Sequence, residues 1–90
     1  MYNTLDNILK AYTITKSNIE YATQKINEAK NEEQEAEAIE LYDYNKGKAH
    51  GLAQAASYIL FGAFNGSLYL KAVDLLENSV NALSILKNIK

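Results

Sequence analysis

Tyr42, Lys46 and His50 stand four residues apart, the spacing that places side chains one above another on a single helical face. With Lys48 beside them, they form the chain's only cluster of aromatic ring, ammonium groups and imidazole. Such a set offers N–H and O–H donors to an anion or an acidic partner. The competing reading is a packed tyrosine with solvated lysine and histidine neighbours. A second surface has the opposite sign. Glu32, Glu33, Glu35, Glu37, Glu40 and Asp43 are the only charged residues between positions 31 and 45, a local charge of −6. An acidic block of this kind is either a solvated helix face, a docking surface for a basic partner, or a mimic of a phosphate backbone.

Most catalytic chemistries lack their residues. His50 is the only histidine and there is no cysteine, so neither imidazole clusters nor thiolates can ligate a metal within one chain. Glu33, Glu37 and Glu40 share a helical face, but no Glu-x-x-His accompanies them, so a di-metal carboxylate site is not expected. No serine sits in a Gly-x-Ser-x-Gly elbow, and the Gly47-Lys48-Ala49 run lacks the leading glycine of a phosphate-binding loop. No enzyme activity, cofactor or metal is expected. All nine basic residues are lysines, dispersed along the chain, and net charge is −2. Direct nucleic-acid binding is therefore not expected either.

These residues need helices to hold them. The chain has no proline, and alanine, leucine, lysine, glutamate and glutamine are frequent, a composition that favours helix. Leu5, Ile8, Leu9, Tyr12, Ile19, Ala22, Ile26 and Ala29 recur in steps of three and four, broken once at Thr15. They predict an amphipathic helix over about 4–29, with Asn3 or Thr4 as its cap and Asp6 and Asn7 in its first turn. Asn31, followed three residues later by Gln34, has the pattern of a capping box and starts a second helix, about 32–64. No glycine or proline marks this junction, and one continuous bent helix is the competing arrangement. In Asn65-Gly66-Ser67, Gly66 can end the second helix in the left-handed region and Ser67 can cap a third, about 68–89.

The expected fold is all-α, a single domain over 1–90. It is read as a three-helix antiparallel bundle or long helical hairpin, with helices 2 and 3 paired and helix 1 alongside. Ala49–Leu70 contains no charged residue, and the third helix carries an apolar arc wider than one neighbour covers, so an oligomer is expected. Gly47 and Gly51 each cost a helix interior roughly 1 kcal/mol relative to alanine. They are read as a ridge for close helix packing, against a local kink. Ala49–Leu70 is also long enough to cross a bilayer. Gln54, Ser57, Asn65 and Ser67 interrupt it, and the Asn-Gly-Ser turn would strand backbone groups in hydrocarbon, so a membrane span is not favoured. With no cysteine and no secretory-type N-terminal segment, a cytoplasmic location is expected.

Tyr44 to Ala55 reads Tyr-x-x-Gly-Lys-Ala-x-Gly-Leu-x-x-Ala and resembles a helix that recurs in small all-helical proteins of bacteriophages and mobile elements. Some of these inhibit host defence systems by binding a host protein or sequestering a nucleotide signal. The resemblance implies a small binding protein and assigns no role to any residue. The function expected is therefore non-enzymatic: binding a macromolecular partner as an inhibitor or adaptor. The alternatives are an oligomeric binder of a small anionic ligand such as a nucleotide, an acidic nucleic-acid mimic, and a membrane-associated helical protein.

Overall fold

A computed structural model describes residues 2–89. Those residues are helical without strands: α1 Tyr2–Glu28, α2 Glu32–Phe61, α3 Gly66–Glu77 and α4 Ala82–Lys87. The two long helices pack against each other as an antiparallel hairpin and set the long axis of a 47 × 24 × 18 Å particle. The junction between them is the expected one. Asn31 is extended (φ −153°), and its Oδ1 accepts from the Gln34 N–H at 2.9 Å. Gln34 in turn accepts from the Lys30 N–H at 3.0 Å. Two side chains thus satisfy helix-end donors and turn the chain without glycine or proline.

Three expectations are corrected. First, α1 already begins at Tyr2, so Asn3 and Thr4 lie inside it rather than capping it. Asp6 also caps, but on another helix: its Oδ1 accepts from the Ala82 N–H at 2.6 Å, at the start of α4. Second, the left-handed residue that ends α2 is Gly62 (φ 71°), and the cap of α3 is Asn65, whose Oδ1 accepts from the Leu68 N–H at 2.9 Å. Gly66 and Ser67 are already helical. Third, the 68–89 segment is two helices. Asn78 turns its side-chain amide back onto the Asp74 carbonyl (2.8 Å), which competes with continuation of the helix. Asn81 then restarts it by accepting from the Ser84 N–H at 2.8 Å.

Pairing also differs from expectation, because α3 leaves α2 at 100° rather than doubling back along it. The antiparallel partner of α2 is α1. Helices α3 and α4 cover one end of the hairpin, where Ile8, Leu9 and Tyr12 of α1, Ala53 and Ala56 of α2, Ala72, Leu75 and Leu76 of α3 and Ile85 of α4 form the core. The other end is a two-helix arm held by small buried residues, Ala22 and Ala38. Two polar side chains are buried on the hairpin seam, Thr15 and Asn45. Each satisfies itself locally: Thr15 Oγ1 donates to the Ala11 carbonyl at 2.7 Å and Asn45 Nδ2 to the Leu41 carbonyl at 2.8 Å. Among the described residues no single helix is long and apolar enough to cross a membrane; α2 and α3 reach that measure only together, across their 100° bend.

Gly47 and Gly51 lie in the uninterrupted interior of α2, and an added Cβ at either would meet nothing within 4 Å. Neither the kink nor a close helix approach inside the chain accounts for them.

The Asp6 cap is testable because it joins the first turns of α1 to α4 across the whole sequence. Asp6→Ala should cost about 1 kcal/mol, lowering the melting temperature by roughly 4–8 °C for a chain of this size. Thermal denaturation followed by circular dichroism would measure it, and an unchanged midpoint would contradict the cap.

Candidate binding groove

Where α3 crosses the hairpin, a cleft of about 560 Å³ opens between α1, α2 and α3. Its walls come from the polar edges of three stripes whose apolar sides make the core. Tyr12 and Lys16 project from α1, Lys46 and His50 from α2, and Tyr69 and Glu77 from α3, over a floor of Ile19, Ala49 and Val73. That volume lies within the usual range for small-molecule sites.

One wall is an ion-pair cluster. Glu77 accepts from the Lys16 ammonium at 3.1 Å through Oε1 and from the Tyr12 hydroxyl at 3.0 Å through Oε2. The Lys16 hydrogen bond, followed by that of Tyr12, holds the Glu77 carboxyl below its ordinary value of 4.5. Burial, and then the hydrogen bond to Glu77, push the Tyr12 hydroxyl well above the usual tyrosine range. Tyr12 is therefore a fixed neutral donor, and the Lys16–Glu77 pair contributes no net charge.

The opposite wall is aromatic and cationic. The His50 ring lies 4.9 Å from that of Tyr69 and 5.9 Å, edge-on, from that of Phe64. Phe64 reaches there because the α2–α3 link is folded back, with the Ser57 hydroxyl donating to the Ala63 carbonyl. Lys46 Nζ sits 6.0 Å from the Tyr42 ring centroid, the outer limit of a cation–π contact. Among the described residues no carboxylate lies within salt-bridge distance of it.

The structure thus separates the residues singled out from the sequence. Lys46 and His50 line the cleft and Tyr42 flanks Lys46, whereas Lys48 is not part of it. Gly47 borders the cleft and Gly51 does not. Glu32, Glu33, Glu35, Glu37, Glu40 and Asp43 are all exposed along the arm. Of these, Glu37 borders a separate cavity of about 360 Å³ beside Tyr21, Lys25 and Leu41. Among the described residues no group of three histidine or carboxylate side chains is placed to hold a metal ion. Tyr12, Lys16, Tyr69 and Glu77 were not singled out from the sequence. The four-residue step from Tyr12 to Lys16 was visible there, but the contact of both with a glutamate more than sixty positions away was not.

The chain matches no protein-family model, no curated protein and no solved structure.

Glu77 gives the folded state an acid-side pH dependence. Folding lowers its pKa, so the unfolded chain takes up the proton first as acid is added. Its stabilising contribution is complete above the ordinary carboxylate value and is lost as pH falls through the lowered one. Between about pH 5 and pH 3 the melting temperature of Glu77→Gln should therefore fall less than that of the parent. Parallel curves for the two proteins would show that the cluster does not contribute.

Proposed function

We propose that this chain is a small, non-enzymatic helical binding protein that works as a homo-oligomer and presents its acidic arm to a macromolecular partner, as an inhibitor or adaptor. The observation that carries the reading is a second stripe on α2. Its inner stripe (Ala38, Asn45, Ala53, Ala56) is buried. An outer stripe of Leu41, Tyr44, Lys48, Gly51, Ala55 and Tyr58 runs in regular alternating steps of three and four, the repeat of a helix–helix seam. Much of it stays open within the chain: Tyr44 is 68% exposed and Tyr58 52%, while Leu41, at 37%, faces α1 across a small cavity and Ala55 packs partly against the core.

Tyrosine and leucine spaced in this way bury well against a second helix, and tyrosine is enriched where proteins meet. Gly51 stands at the middle of the stripe with open space where a side chain would project, so a partner helix can approach the backbone there. An antiparallel pairing of two α2 helices brings Tyr44 of one copy toward Tyr58 of the other. It also keeps their two acidic ends apart; a parallel pairing would stack six carboxylates on six. The arm ends then project outward from the assembly, with Glu32, Glu33, Glu35 and Glu40 free of lysine partners among the described residues. Their charge suits a basic surface on the partner.

Gly51→Leu separates assembly from folding. Within one chain the added Cβ meets nothing within 4 Å, and leucine replaces a poor helix former at an exposed position, a local gain of roughly 1 kcal/mol. Across a close seam it would force the helices apart. Light scattering on the size-exclusion peak should show a parent protein larger than one chain and a variant of lower mass with undiminished helicity. A single-chain mass for the parent, or an unaltered mass for the variant, would refute the assembly. Tyr58→Glu should act in the same direction.

A further inference from the structure

We infer that the cleft between α1, α2 and α3 is a binding site for a small molecule that joins an aromatic ring to a phosphate or carboxylate group. The site lies on the side of the hairpin that α3 crosses and uses none of the outer-stripe residues, so it stands or falls independently of the oligomer.

The charges decide the sign of the ligand. Glu77 is held by Lys16 and by Tyr12, so its charge is balanced by Lys16 and the pair sets no net sign for a ligand. The remaining full charge on the walls is the Lys46 ammonium, with three donors, no carboxylate in reach among the described residues, and only a distant ring contact. An anion fits there. The rings decide the rest of its chemistry. His50 stands one helical turn from Lys46, with about 5–6 Å between Cβ positions. It lies against Tyr69, and the two rings make an aromatic wall beside the apolar residues Ile19, Ala49 and Val73, with Phe64 edge-on to both rings outside the cleft. A bare inorganic anion would use Lys46 and leave that wall in water; an uncharged ring would use the wall and leave the ammonium unpaired. A ring carrying an acidic group uses both.

Gly47 supplies the third element. It occupies a helix interior at a cost, no packing contact requires it, and it borders the cleft. Leaving the side chain off keeps the mouth beside Lys46 open.

The test exploits His50 as the single histidine of the chain. Its ring protons are titrated by NMR at constant pH with phenyl phosphate, inorganic phosphate and phenol in parallel. Phenyl phosphate should give a saturable shift and bind more tightly than either fragment. Lys46→Glu and Gly47→Leu, both at exposed positions and the latter with open space at its Cβ, should each weaken phenyl phosphate about tenfold, equivalent to ~1.4 kcal/mol, with the circular dichroism unchanged. No saturable shift up to about 10 mM, inorganic phosphate binding as tightly as phenyl phosphate, or parent-like affinity in both variants would overturn the assignment.

Discussion

Helix α2 carries a second line of large side chains beside its buried face, and the rest of the architecture is arranged around that constraint. One side is satisfied internally: α1 lies along its length, and α3 and α4 close over the end where Ala53 and Ala56 are fully buried. The second line is left largely open, since α3 departs at 100° instead of returning along α2. A large apolar side chain left in water forfeits burial free energy in proportion to its exposed area, and Tyr44 and Tyr58, both more than half exposed, do so on one line. The particle is thus elongated, with a covered body at one end and a slender acidic arm at the other.

The small residues follow from the same geometry. Ala22 and Ala38 let α1 and α2 approach closely in the arm, where no third helix contributes to the packing. Thr15 and Asn45, at equal distances along the chain from Lys30, interrupt the apolar seam without leaving an unmet donor, because each bonds back to its own helix. In the body the polar groups act across elements instead: Asp6 caps α4, and Glu77 joins α3 to α1 through Tyr12 and Lys16. The crossing of α3 over the hairpin both seals the core and opens the cleft, so stability and the candidate site share one set of contacts.

How much of this the sequence discloses depends on the range of the interaction involved. The helical class and the Asn31 junction are legible, because capping is a contact between residues three apart and its residue types are diagnostic. The boundary between α2 and α3 is legible only as a region. Asn65-Gly66-Ser67 draws attention to itself, while the left-handed position is Gly62, one residue beyond Phe61. The break after Glu77 is not legible, because it contains no glycine or proline. It is made by asparagines whose side chains compete with the backbone, and by a carboxylate from the opposite end of the chain. In the site, Tyr42, Lys46 and His50 are local in sequence and were visible as a face. The wall opposite them depends on the angle at which α3 crosses, which no local pattern encodes. The outer stripe of α2 shows in the sequence only as an excess of apolar residues over Ala49–Leu70, because its phase is defined relative to the buried stripe.

The central claim is that copies of α2 meet at Gly51. Because the chain has no cysteine, a single Gly51→Cys substitution provides a direct probe: a disulfide forms only where two Cα atoms come within about 7 Å. Mild oxidation of that variant should give a covalent dimer rapidly and in high yield, while Asn27→Cys, exposed on α1, should not. Equal, slow cross-linking of the two variants, or none at Gly51→Cys, would contradict the account.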